Sequence, residues 1–295
     1  MDRTAEAKGG GLPYAVGAYV IWGLAPIYFK LLSFLPATGI VAHRIIWSVP
    51  FCLAIVAARK QFPQLKAALA SPRVMLTLTA SAALIAINWL IFIHAINDDH
   101  IIATSLGYYL NPLVNVLLAT LFLGERLNAW GKAAVVVAGA GISLLLVDAL
   151  DTLWISLSLA FSFATYGLLR KTAPVGALPG LTIETAILFL PSLAWAAFEF
   201  AADPASPVMR EAGSTALVAA AGVITTVPLL LFATAARRMS YIAIGFVQYL
   251  APTISFLLGL YVYGEPLSAT KLACFLCIWA SVALFSVGAL RGRGG

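Results

Sequence analysis

Charged side chains are scarce in this 295-residue sequence, where Asp, Glu, Lys and Arg together make up 10%. A soluble globular domain carries about 25%, so the chain cannot clothe an ordinary water-facing surface. Cysteine is nearly absent as well. Cys52, Cys274 and Cys277 are the full set, too few for a disulfide framework. The last two form C-x-x-C inside the apolar run KLACFLCIWASVALF, with no companion ligands. They read as small buried hydrophobes rather than a metal or redox pair. No glycine-rich phosphate loop with its lysine occurs, nor H-E-x-x-H, nor G-x-S-x-G, nor a carboxylate pair deep in one apolar run. The chain is therefore expected to be neither an enzyme nor an ATP-driven motor, with no metal, cofactor or ATPase subunit. Any transport runs on gradients.

What remains is hydrophobic. Apolar residues make up 62% of the chain, and its mean hydropathy is +0.97. That composition belongs to an all-α integral membrane protein. A span needs about 20 mostly apolar residues, and ten runs qualify: 12–32, 38–58, 74–96, 101–123, 131–148, 153–170, 178–199, 214–236, 241–263 and 271–290. The connections 59–73 and 199–213 read as tethers. The polar leader Met1–Gly10 shows no cleavage pattern of a secretory signal. A net charge of +6 sits in short loops, which points to the lipid bilayer and not to nucleic acid. With the N-terminus in the cytoplasm, fourteen Lys and Arg residues fall inside, three fall outside, and Arg44 lies within a span. By the positive-inside rule both termini are cytoplasmic.

The chain also repeats itself. Shifting by 140 residues places IATSLGYYLNPLVNVLLATLFLGERLNA on IAIGFVQYLAPTISFLLGLYVYGEPLSA, with 11 of 28 positions identical. Tyr109/Tyr249, Pro112/Pro252 and Gly124-Glu125/Gly264-Glu265 carry the match. A shift of 141 aligns Lys30/Lys171, Gly39/Gly180 and Pro50/Pro191. The units are 12–148 and 153–290, five spans each. Five is odd, so the second copy enters the membrane inverted, the usual build of secondary transporters.

The fourth span is unexpectedly polar. Thr104, Tyr108, Asn111 and Asn115 follow steps of four, three and four, which puts them on one helical face. The ninth span repeats the design with Tyr241, Gly245, Gln248, Pro252 and Ser255. Pro112 and Pro252 lack an N–H, so each removes the helical partner of the carbonyl four residues back, on Tyr108 and Gln248. Such groups persist at membrane depth only where protein or a watery cavity satisfies them. The two stripes are expected to line a path at the repeat interface, or else to bond helix to helix. Asn88, on the third span, needs a partner of its own. Trp22, Trp89 and Tyr166 either stack on a ring-bearing substrate or pack the bundle. His43 and Arg44 lie inside the second span. An arginine at bilayer centre costs about 2.5–3.5 kcal/mol on insertion scales, so Arg44 either serves gating or coupling or snorkels outward. Glu184, the repeat mate of His43, is either a proton-titratable coupling group or a partner for a loop cation. Glu125 and Glu265 read as caps for the helices that follow them.

The segments AYVIWGLAPIYFK, HRIIWS, NWLIFIHAIN, SLGYYLNPLVN, FLGERL, SFATYGLLRK, TTVPLLLF, QYLAPT and YGEPL run in order over nearly the whole chain. They resemble the RarD-type proteins of the drug/metabolite transporter superfamily, EamA type. The resemblance implies ten transmembrane helices as two inverted five-helix repeats around a central cavity, with alternating access. It implies bacterial inner-membrane residence and export of small metabolites. The chain also resembles exporters of amino acids, aromatic ones included, and the RarD label is tied to chloramphenicol sensitivity. A cavity with few fixed charges suits a zwitterion better than a phosphate ester, which would want several cations. The expected substrate is therefore an amino acid or similar metabolite, with multidrug efflux or a channel-like facilitator as alternatives. The polar stripes and Asn88 would hold its headgroup, and Trp22, Trp89 or Tyr166 its side chain. Oligomeric state is not legible in the sequence.

Overall fold

A computed structural model describes residues 10–97, 101–146, 153–203, 208, 211–264 and 269–291. The described chain is helical throughout. Its elements are α1 (Leu12–Leu31), α2 (Ala37–Ala58), α3 (Phe62–Leu69), α4 (Pro72–Asn97), α5 (Ile101–Phe122), α6 (Ala129–Leu146), α7 (Leu153–Thr172), α8 (Ala177–Ala202), α9 (Ala212–Arg238), α10 (Tyr241–Gln248), α11 (Leu250–Tyr261) and α12 (Ala269–Arg291). Apolar runs of this length become helices because only a helix satisfies all of its own backbone polar groups away from water. Among the described residues eight helices are long and apolar enough to cross a membrane, with α10 and α11 joined as one of them. Two shorter apolar stretches, Leu106–Phe122 and Ala129–Leu144, accompany them. The protein is a multi-pass membrane protein.

Local sequence sets several boundaries. Gly124 and Gly264 both adopt φ +65° just after α5 and α11, a conformation that is easy for glycine alone. At the end of α5 the amide of Glu125 returns to the carbonyl of Ala119 at 3.1 Å, which closes the helix in a Schellman-like turn. Only Met239 and Ser240 separate α9 from α10, and the Ser240 hydroxyl accepts from the Ala243 amide to cap α10. Pro112 sits within an uninterrupted α5. Pro252 instead follows an interruption at Tyr249, where the amide bonds three residues back to Phe246.

One reading of the sequence is corrected. The connection 59–73 is not a bare tether. It contains α3, whose Leu65 and Ala68 lie three residues apart on one face and are buried against Val74, Leu78, Val175 and Leu178. Its apolar face covers the ends of α4 and α8, which a run of only eight residues does not reveal by periodicity. Arg170 lies in the last turn of α7 and is 1% exposed.

The bundle is organised by pairs. α2 packs along α8 and α9, α5 along α7 and α10, α1 along α9 and α11, and α4 along α7 and α8. The longest seam joins α6 and α12. Most of the buried apolar residues form one continuous core between these helices.

Candidate functional site

Near the middle of the bundle α10 crosses α5. A Cβ at Gly245 would stand 2.9 Å from the Pro112 carbonyl oxygen, so glycine is what permits the approach. That contact brings the two polar stripes together. Asn115 donates through Nδ2 to Gln248 Oε1 at 2.8 Å, and the Tyr19 hydroxyl from α1 reaches the same oxygen at 3.5 Å. Asn111, Asn115 and Gln248 are all buried. Yet Asn111 Oδ1 and Asn115 Oδ1 have no donor among the described residues. A buried amide oxygen without a partner costs about 1–3 kcal/mol, so the crossing presents two acceptors ready for an N–H from elsewhere. Thr104, at the head of the stripe, has a side chain outside the described part.

Beside the crossing is an aromatic cluster. Trp22 packs on Tyr19, Phe163 and Phe232 with ring centroids 5.4, 5.9 and 5.8 Å apart, and Tyr166 stacks on Phe232 at 6.2 Å. Tyr166 is buried and Trp22 partly so.

A second polar place lies around Arg44, beyond Tyr108. Arg44 Nε donates to Thr225 Oγ1 of α9 at 2.8 Å. Its guanidinium carbon lies 4.9 Å from the Trp89 ring of α4 and 5.2 Å from the Phe29 ring of α1. The Tyr108 ring meets Phe92 at 5.9 Å and is 41% exposed. Arg44 thus points between helices, and snorkelling toward lipid is not its geometry. Its neighbour His43 has a buried Nδ1 with no partner among the described residues.

The remaining candidates are engaged in helix contacts. Asn88 donates to the Leu159 carbonyl and to Ser162 Oγ, both at 2.9 Å, which ties α4 to α7. Ser255 donates to the Gly23 carbonyl at 3.1 Å. Glu184 is buried with Arg170, whose Nη1 lies 3.6 Å away, and accepts from the Ser81 hydroxyl. So its partner is a cation, but one inside the bundle. A Cβ at Gly180 would collide with that guanidinium, which explains a glycine there.

Glu125 holds a position that sequence reasoning did not foresee. It caps α10 and not α6, accepting from the amides of Tyr241 at 2.8 Å and Ile242 at 2.9 Å. The cap of α6 is Asn128, which accepts from the Gly131 amide. Lys171 Nζ stands 3.9 Å from Glu125 and donates to the carbonyls of Ala236 and Met239. The ends of α5, α7 and α9 are thereby laced to the start of α10. The one signal in the sequence was the recurrence of Gly-Glu after both equivalent spans; Glu265 itself lies outside the described residues.

Similarity to known proteins fits this helical bundle. Residues 9–147 match the model of the EamA-like transporter family. Protein RarD of Salmonella typhimurium is 44% identical over 281 residues, 95% of each chain. The chain belongs to the RarD-like, EamA-type branch of the drug/metabolite transporter superfamily. RarD-like relatives include an uncharacterized transporter of Pseudomonas aeruginosa, 42% identical over 98% of this chain and 96% of the relative. The chloramphenicol-sensitive protein RarD of the same organism is 33% identical over 94% and 93%. A solved crystal structure with 18% identity superposes with a TM-score of 0.71 over 96% of this chain and 98% of that one, a likeness of fold. The protein is accordingly a membrane transporter of the drug/metabolite transporter superfamily.

Proposed function

We propose that this transporter exports small zwitterionic metabolites, amino acids with aromatic or hydrophobic side chains foremost, by alternating access across the bacterial inner membrane. In this reading ten spans form two inverted five-helix repeats around a central path, with both termini cytoplasmic. The supporting observation is the symmetry of the packing. Under the repeat, α2 on α8, α5 on α10 and α6 on α12 are self-related pairs, and all three are contacts. Three further contacts have mates: α5 on α7 with α11 on α1, α4 on α7 with α9 on α1, and α2 on α9 with α4 on α8. Two like halves that can exchange conformations give inward- and outward-facing states.

The polar crossing supplies the zwitterion's site. The orphaned amide oxygens of Asn111 and Asn115 suit an ammonium group, and Trp22 and Tyr166 border the place where a ring would lie. In this topology the aromatic cluster and the Glu125 lacing close the cytoplasmic side, while the Arg44 recess lies toward the outside.

Counterflow in proteoliposomes, screened over the twenty amino acids and chloramphenicol, tests the reading. Saturable exchange of an aromatic or aliphatic amino acid, weakened about tenfold or more in Asn111→Ala and Gln248→Ala, is the expected result. Absence of exchange for every amino acid refutes it. The name of the 33%-identical relative favours one second reading, efflux of chloramphenicol-like drugs. That reading predicts chloramphenicol exchange without amino-acid exchange. A channel-like facilitator would give flux without counterflow.

A further inference from the structure

Arg170 and Arg44 both point between helices of the bundle, and they are treated oppositely. In the second repeat Arg170 of α7 faces Glu184 of α8, so its charge is met within the chain. The equivalent positions of the first repeat are Phe29 of α1 and His43 of α2, by the shift of 141. There the cation is Arg44, next to His43, and the position across from it is a ring instead of an acid. Among the described residues no carboxylate lies within ion-pair distance of Arg44. The phenols of Tyr108 and Tyr28 lie within electrostatic reach of it.

The guanidinium is nevertheless held in place. Thr225 fixes Nε, and Trp89 and Phe29 from two further helices bound the group. With Nε occupied, the edge left over is the pair of Nη groups. Neither donates to an acceptor among the described residues. An immobilised guanidinium with a free two-nitrogen edge matches a carboxylate in bidentate geometry. The flanking rings lower the local polarity and strengthen the pairing.

We infer that Arg44 is the carboxylate receptor of the transport path, so that the counter-charge missing from the first repeat is brought by the substrate. The site takes small monocarboxylates whose remaining body is apolar enough to lie against Trp89, Phe29 and Tyr108. This assignment rests on the transporter reading only for its biological meaning; as a binding site it stands separately. It also gives Arg44 a role different from gating or proton coupling, since a permanently charged guanidinium transfers no proton at physiological pH.

The test is ligand-induced thermal stabilisation of the purified full-length chain in lipid nanodiscs. Phenylalanine, leucine and benzoate are compared with phenylalaninamide and leucinamide, which lack the carboxylate. Wild type is expected to bind the acids about 10- to 100-fold more tightly than the amides. Arg44→Gln should abolish that preference. Should Arg44→Gln fail to fold, Thr225→Val and Arg44→Lys carry the test, because both keep the charge and lose the fixed two-nitrogen edge. Each is expected to cut the preference several-fold. The inference is overturned if no acid binds wild type, if acids and amides bind alike, or if the preference survives in the folded variants unchanged. Counterflow of the same probes separates the two claims. Acid preference without flux refutes transport and keeps the receptor, while flux without acid preference does the reverse.

Discussion

Glu125→Ala should loosen the start of α10 and leave the rest of the bundle largely intact. The Glu125 carboxylate accepts from two amides, of Tyr241 and Ile242, at the positive end of a helix dipole. A hydrogen bond to a charged group contributes about 1.5–3 kcal/mol. The side chain is 18% exposed, which places each bond at the low end of that range. The Lys171 pair at 3.9 Å, also partly exposed, adds no more than about 1 kcal/mol. Water reaches part of what the truncation uncovers, so the net cost is about 2–3 kcal/mol. At 1.4 kcal/mol per factor of ten, amide exchange over 241–248 should accelerate about 30- to 100-fold. Glu125→Gln keeps an acceptor and loses the charge, and should cost about 1 kcal/mol, near fivefold. Hydrogen exchange read by mass spectrometry on the full chain in nanodiscs gives both numbers. Peptides from α2 and α8, remote from Glu125, serve as the internal reference. Unchanged exchange in α10 of Glu125→Ala would refute the assignment of Glu125 as its anchor.

Three further outcomes follow from the packing. Glu184→Ala leaves the buried Arg170 without its acid and should cost about 3–5 kcal/mol in unfolding stability, whereas Glu184→Leu with Arg170→Leu should cost far less; thermal unfolding in detergent measures both. Gly245→Val places side-chain atoms against the Pro112 carbonyl and should lower stability by about 1–3 kcal/mol while reducing transport, which the same melt and a flux assay report. Gln248→Leu strands the Asn115 Nδ2 in the core, a loss of about 1–3 kcal/mol that Asn115→Leu in the same chain should largely relieve.

Parts of the candidate site were legible because they depend on helical spacing. The steps linking Tyr108, Asn111 and Asn115 put them on one side of α5, and the repeat identified Gln248 as belonging to the matching stripe. What spacing does not give is which stripe members touch. Asn115 meets Gln248 because Gly245 allows the helices to cross there, while Tyr108 packs on Phe92 of α4. Asn88 and Ser255 carry the same chemistry in sequence and end up bonded to neighbouring helices. Arg170 precedes a lysine at a span's end, where the sequence gives no sign of burial, and the approach of α8 at Gly180 buries it.

The sequence by itself determined the class of this protein. Scarce charge and long apolar runs leave no solution in water, and backbone hydrogen bonding in lipid leaves helices as the answer for such runs. It also carried the family, which is a property of residue order. Tertiary structure alone decided which polar groups are satisfied. Among the described residues Arg170 finds an acid and Arg44 does not; Glu125 caps a helix 116 residues away; and two asparagine oxygens in the core are left without donors. Partnership of this kind depends on which helix faces lie opposite one another. Packing sets that, and no local pattern along a single helix encodes it.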